Sequence, residues 1–204
     1  MNIAVFASGR GSNFQAILNA IDDGRLPAVV TLLVSNNSNA GAMELARSRN
    51  IPAIHLNQKQ YSSAQLYEEQ LLQLLTRYKV ELIALAGYMK RIPTVVIDRF
   101  RNRILNVHPA LLPAFGGAGM YGIHVHEAVL ASGAKVTGVT VHVVDEEYDK
   151  GPIVMQKCVD VLDDDTPESL AARVLPVEHE LYPRAIAAFA NKRVRIEGRK
   201  VWIQ

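Results

Sequence analysis

Cysteine is almost missing from this sequence: Cys158 is the only one in 204 residues. A lone thiol forms no internal disulfide and supplies none of the cysteine pairs of a metal knuckle or redox motif, so a reducing compartment, the cytoplasm, is the expectation. An excess of charge of one sign is missing too. With 22 Lys+Arg against 20 Asp+Glu, the formal charge is only +2. Binding to a phosphate backbone usually leaves a stronger basic surplus, so the expected partners are small molecules, not nucleic acid. Long apolar runs are also absent. The stretches 29–34 and 82–89 fall far short of the roughly 20 residues that span a bilayer, and Met1–Arg10 lacks the basic start of a secretory leader. Neither a membrane segment nor a leader is expected. No repeat, low-complexity tract or Gly/Ser/Pro-rich linker divides the chain, which is long enough to bury one core, so residues 1–204 are read as a single domain.

What is present is an alternation of two periodicities. Asn2–Ala7 is a compact apolar run, followed after a polar glycine-rich turn by Phe14, Ile17, Leu18 and Ile21 at helical spacing, with Gly24 closing the pattern. Strand-like runs recur at 29–34, 51–56, 81–86 and 103–107. Helical patterns separate them at 40–49, 61–78 and 94–100; in 61–78, Leu66, Leu71, Leu74, Leu75 and Tyr78 are expected to share the apolar side. Apolar strands separated by helices imply a parallel sheet covered on both faces by right-handed crossovers. The second half differs. Two longer β-branched runs, 136–144 and 152–162, flank the acidic turn Asp145–Gly151 and favour an antiparallel pair. Thr166-Pro167-Glu168 carries a cap, a first-turn proline and an acid, so a long helix is expected from there toward Asn191, interrupted or kinked at Pro176 or Pro183. The end, 194–203, alternates like a hairpin whose basic residues protect an edge. The predicted fold class is α/β, doubly wound, with a mostly parallel, mixed sheet and helices on both faces.

Three segments can carry chemistry. Gly9-Arg10-Gly11-Ser12-Asn13 lies between the first strand and the first helix, where free backbone amides and the positive helix end suit a phosphate; a tight turn with a polar cap explains the same residues. Asn106 and His108 lie where a strand leaves the sheet, two residues apart and so on one face in extended backbone, and are followed by Pro109 and Pro113. An amide donor beside an imidazole suits acyl transfer, and a locally satisfied histidine is the plain alternative. Asp149 ends an acidic turn that solvation alone explains. If the fold brings it to His108, the carboxylate should favour the imidazolium and raise the histidine pKa above about 6.5. His124 and His126 open a helix without a ligand set, so no metal is expected. Cys158, inside a β run, reads as a small buried side chain, and no Gly-x-Ser-x-Gly elbow occurs, so direct transfer is preferred over a covalent nucleophile.

Taken together, Ala7-Ser8-Gly9-Arg10-Gly11-Ser12-Asn13, Leu85-Ala86-Gly87-Tyr88-Met89, Asn106-Val107-His108-Pro109-Ala110-Leu111-Leu112-Pro113, the turn 145–152 and Glu178-His179-Glu180-Leu181-Tyr182-Pro183 closely resemble the folate-dependent phosphoribosylglycinamide formyltransferases of purine synthesis. The resemblance covers nearly the whole chain. It implies a formyltransferase-type, Rossmann-like fold with a phosphate-binding half at about 1–100 and a folate and catalytic half at about 101–204. It further implies formyl transfer from 10-formyltetrahydrofolate, as cosubstrate, to the amine of 5-phosphoribosylglycinamide, by a monomer or homodimer. Residue by residue, the resemblance gives Asn106, His108 and Asp149 the catalytic role, with His108 protonated. Gly11, Ser12, Asn13 and Glu178 would hold the ribotide. Met89, Lys90, Arg91, Ile92, Asn106, Asp145, Glu146, Glu147, Tyr148 and Asp149 would form the folate pocket.

Four places depart from the pattern: Ala64 stands where an arginine often contacts the folate, Lys90-Arg91 is more basic, Pro176 precedes Glu178, and 114–123 is longer and glycine-rich, suggesting a mobile loop. The rival readings are a 10-formyltetrahydrofolate hydrolase, which would use a similar Asn/His/Asp set on water, and a non-catalytic phosphate-ligand module. A methionyl-tRNA formyltransferase is expected to need a further RNA-binding domain.

Overall fold

A computed structural model describes residues 1–204. In chain order the elements are β1 (Asn2–Phe6), α1 (Ser12–Asp22), β2 (Val29–Ser35), α2 (Gly41–Ser48), β3 (Ala53–His55), a 3₁₀ turn (Gln58–Gln60), α3 (Ala64–Arg77), β4 (Leu82–Leu85), α4 (Thr94–Arg99), β5 (Ile104–His108), α5 (Ile123–Ala131), β6 (Val136–Val143), β7 (Ile153–Asp160), α6 (Pro167–Ala190), β8 (Val194–Glu197) and β9 (Lys200–Ile203). The architecture is α/β, with a mostly parallel, mixed sheet of seven strands and six α-helices, as the alternating periodicities predict. The chain forms two compact units, Met1–Leu105 and Asn106–Gln204.

In the first unit the strands run in the order β3-β2-β1-β4, all parallel, with Ile3 opposite Leu82 and Phe6 opposite both Val34 and Leu85. β4 and most of β1 are buried, which explains why both read as unbroken apolar runs. α1 buries Phe14, Ile17 and Leu18. In α3 the Ser63 hydroxyl accepts from the Leu66 amide at 3.2 Å, so the helix starts three residues later than its apolar pattern suggests. Its buried residues are Tyr67, Leu71, Leu74 and Leu75. Leu66 is 47% exposed, a correction to the expected apolar side that follows from its place in the capped first turn.

In the second unit β6 and β7 pair antiparallel, from Val136 opposite Asp160 to His142 opposite Ile153. α6 begins as its cap predicts. Thr166 accepts from the Ser169 amide, Ser169 accepts from the Thr166 amide, and the Arg173 guanidinium grips both oxygens of Asp165 at 2.6 Å. That guanidinium holds the Asp165 carboxyl far below the usual carboxylate range.

Two expectations need correction here. α6 runs from 167 to 190 and ends at neither Pro176 nor Pro183. Pro176 is exposed, and so is Ala172, whose carbonyl loses its helical donor. Cys158 is exposed, not buried, because β7 is the last strand of the β5-β6-β7 order and presents Gln156, Lys157 and Cys158 outward. β8 and β9 pair antiparallel as the terminal hairpin the sequence suggests, in a two-stranded sheet of their own, and β9 packs against β7.

Candidate active site

In the first unit the glycine-rich turn leads into α1. Gly11, with a left-handed φ of 86°, precedes the helix, and a Cβ there would lie 3.0 Å from Ala42. Glycine is therefore required both by the backbone and by α2. No side chain caps α1, so its leading amides are not consumed by a cap, and Ser12 is exposed while Asn13 is 8% exposed. Ser8 fastens this turn: its hydroxyl donates to the Asn36 side chain and accepts from the Met89 amide at 2.8 Å. Met89 is half exposed, Lys90 and Arg91 are exposed, and Ile92 is buried. Lys90, Arg91 and Ile92, with Asn57, Lys59 and Tyr88, line a pocket of about 360 Å³. Ala64 opens α3 on the surface.

In the second unit the structure brings Asn106, His108 and Asp149 together. β5 delivers Asn106 and His108 to one face, as their spacing of two requires. The His108 ring is 4% exposed. Its Nε2 lies 2.8 Å from the Phe115 carbonyl, which fixes Nε2 as a donor, and its Nδ1 faces the Asp149 carboxylate at 3.7 Å. Asp149 has a left-handed φ of 57° and receives the Gly117 amide at 2.9 Å. The loop 114–119 thus holds both the imidazole and the carboxylate.

His142, missed in the sequence, joins them. Its ring is 2% exposed; Nδ1 donates to the Val143 carbonyl at 2.9 Å, while Nε2 lies 3.1 Å from Asn106 Nδ2 and 3.5 Å from Asp149 Oδ1. The Asn106 amide carries two N–H groups and so keeps at least one for another acceptor. The signal was a histidine within the β-branched run Val139-Thr140-Val141-His142-Val143, where burial demands polar partners. Thr140 was missed as well. Its buried hydroxyl accepts from the Leu112 amide at 3.0 Å and Gln156 at 2.9 Å and donates to the Ala110 carbonyl at 2.7 Å, pinning the segment that follows His108.

Electrostatics differ from the sequence-based expectation. Burial pushes the His108 pKa down more than Asp149 and the Phe115 carbonyl push it up, so it lies below 6.5 instead of above. Burial acts upward on Asp149, but His142, the Gly117 amide and the facing imidazole outweigh it, and the carboxyl stays below its usual range. The remaining candidates in this unit are less closely held. Glu147 receives the Lys150 ammonium at 2.9 Å, and its amide donates to Asp145 at 3.0 Å, while Tyr148 is 52% exposed. Glu178 is half-buried on α6.

An amide with a spare N–H, a buried imidazole of fixed tautomer and an ionised carboxylate within a few ångströms have the chemistry that acyl-type group transfer needs. The formyl transferase family model matches residues 1–186. The chain is 48% identical over 95% of its length to a chloroplastic phosphoribosylglycinamide formyltransferase of Arabidopsis thaliana, spanning 66% of that protein. It is 39% identical to the Bacillus subtilis phosphoribosylglycinamide formyltransferase, over 90% of this chain and 91% of that one. The crystal structure of glycinamide ribonucleotide transformylase 1 from Symbiobacterium toebii superposes with a TM-score of 0.93 at 42% identity, covering 100% of this chain and 93% of that chain. This chain belongs to the formyl transferase family, within its phosphoribosylglycinamide formyltransferases, as the motif resemblance implies. A formyltetrahydrofolate deformylase at 23% identity shares the fold alone.

Proposed function

We propose that this protein transfers the formyl group of 10-formyltetrahydrofolate to the amine of 5-phosphoribosylglycinamide, producing formylglycinamide ribotide and tetrahydrofolate in de novo purine synthesis. The observation that carries this reading is the convergence of Asn106, His108 and Asp149 in a chain of this family.

The amine attacks the formyl carbon, and the carbonyl oxygen takes up negative charge. The spare N–H of Asn106 donates to that oxygen. His108, neutral at pH 7 because burial depresses its pKa, accepts the proton lost by the attacking nitrogen at Nδ1, since Nε2 is committed to Phe115. Asp149 stabilises the resulting imidazolium. The same proton then passes to N10 of the folate as the carbon–nitrogen bond breaks, which returns His108 to its neutral form. Before the substrates arrive, the gap of 3.7 Å between His108 and Asp149 is too long for a hydrogen bond, so Nδ1 is left open to a substrate proton.

Gly11, Ser12 and Asn13 hold the ribotide phosphate through the uncapped start of α1, and Glu178 contacts the ribotide. Met89–Ile92 and the turn 145–149 contact the folate. No helix is long and apolar enough to cross a membrane, and a reducing, cytoplasmic setting suits the exposed Cys158 thiol. The test is to incubate the purified protein with 10-formyltetrahydrofolate with and without phosphoribosylglycinamide. Tetrahydrofolate in step with formylated ribotide supports the transferase. Tetrahydrofolate with formate in place of formylated ribotide makes it a hydrolase, and neither product leaves a binding module.

A further inference from the structure

Asp149, whose carboxylate faces His108, has a left-handed backbone conformation at the end of the turn between β6 and β7. For a side chain other than glycine this conformation is unfavourable and needs external support. Below the turn, support comes from Gly151, where a Cβ would lie 1.8 Å from the Val143 carbonyl, so the chain passes tightly over the end of β6. On the other side it comes from 49 residues away. β8 and β9 are joined by the two-residue turn Gly198-Arg199, with Gly198 at a φ of 57° as a turn with glycine in first place requires. That geometry presents Arg199, whose Nη1 donates at 2.7 Å to the carbonyl of Lys150, the residue after Asp149.

We propose that Arg199 is a positioning residue for Asp149: the guanidinium clamps the peptide that follows the left-handed residue and so holds the carboxylate toward His108 and His142. The proposal rests on the transfer mechanism given above, and Arg199 itself touches no substrate. A charged donor on a carbonyl is stronger than a neutral one. The C-terminal hairpin, which contributes nothing to the main sheet, thereby acquires a role: packed against β7, it carries an arginine to the active-site turn.

The test compares R199A, R199K and R195A. Arg195 lies in the same hairpin, stacked over Trp202 and paired with Glu197, without a bond to the 145–150 turn among its contacts. R199A is expected to lower kcat about five- to tenfold with both KM values changed less than twofold. R199K, which keeps a charged donor, should recover most of the loss, and R195A should match the parent. The second readout needs no turnover: titration of the His108 ring by NMR with labelled histidine. The groups facing that ring are Asp149, His142, His126 and the Phe115 carbonyl, and only Asp149 is a carboxylate. When Asp149 loses its fixed approach, His108 should titrate at lower pH in R199A and not in R195A. An unmoved His108 titration in R199A overturns the proposal. So does an equal loss of kcat in R195A, or an R199K variant no better than R199A. If no formyl transfer occurs at all, the titration still decides the positioning role.

Discussion

Replacing Asp149 by Asn removes one charge and almost no volume, so the outcome measures what that charge does. The carboxylate oxygen lies 3.7 Å from His108 Nδ1 and the side chain is only 11% exposed. At an effective dielectric of about 20, the attraction between an imidazolium and a carboxylate at that separation is about 4–5 kcal/mol. The attraction exists only while His108 carries the transferred proton, so its loss falls on the transition state and lowers kcat by about 10³-fold. The Gly117 amide can still donate to the Asn oxygen, so the 114–119 loop should stay in place. KM for the ribotide, whose phosphate is assigned to the first unit, should change little. The pH profile adds a sign. Burial already sets the His108 pKa below 6.5 and Asp149 pulls it partly back up, so without the carboxylate the acid limb of kcat/KM moves to lower pH. The assay is steady-state formyl transfer from pH 5 to 9 for both proteins. A loss in kcat below tenfold, or an acid limb displaced upward, would refute the reasoning.

Other expectations concern the supports of the site. Thr140→Val should leave the Leu112 amide and the Ala110 carbonyl buried without their partner and cost about 2–4 kcal/mol, lowering Tm by about 5–15 °C, whereas Thr140→Ser should cost about 1 kcal/mol. Urea unfolding distinguishes them, and equal stability of the two variants would count against the hydroxyl. Gly11→Ala combines a left-handed backbone with a 3.0 Å approach to Ala42, so KM for the ribotide should rise at least tenfold while KM for the folate stays within about twofold. Comparing phosphorylated with dephosphorylated glycinamide riboside checks that assignment: if Gly11→Ala weakens both alike, the turn does not read phosphate. His108, His126 and His179 are all depressed by burial, so the unfolded chain binds more protons than the folded one between their lowered pKa values and about 6.5. Their contribution is fully present above about pH 6.5 and is lost as pH falls through the folded values. The urea midpoint should be flat from pH 7 to 8 and fall between pH 6.5 and 5, and a midpoint that rose over that interval would contradict the burial argument.

The strands and helices were legible because burial on both sides of a parallel strand leaves an unbroken apolar run, as in β1 and β4, and because one buried stripe leaves a helical period, as in α1. The caps of α3 and α6 mark their starts at Ser63 and Thr166 by chemistry that acts within four residues. Asn106 and His108 could be paired from spacing alone, since a strand places alternate residues on one face. Pro176 and Pro183 misled because a local proline rule does not say whether the packing of the whole helix outweighs one missing bond. Cys158 misled for a related reason: a β-branched neighbourhood does not tell a central strand from an edge. Beyond these, the tertiary structure decided what no local pattern carries. It set Asp149 opposite His108 across 41 residues of sequence, placed His142 between Asn106 and Asp149, and committed His108 Nε2 to the Phe115 carbonyl. It also reversed the expected pKa shift of His108, because desolvation depends on everything packed around the ring, whereas the sequence names only one charged neighbour.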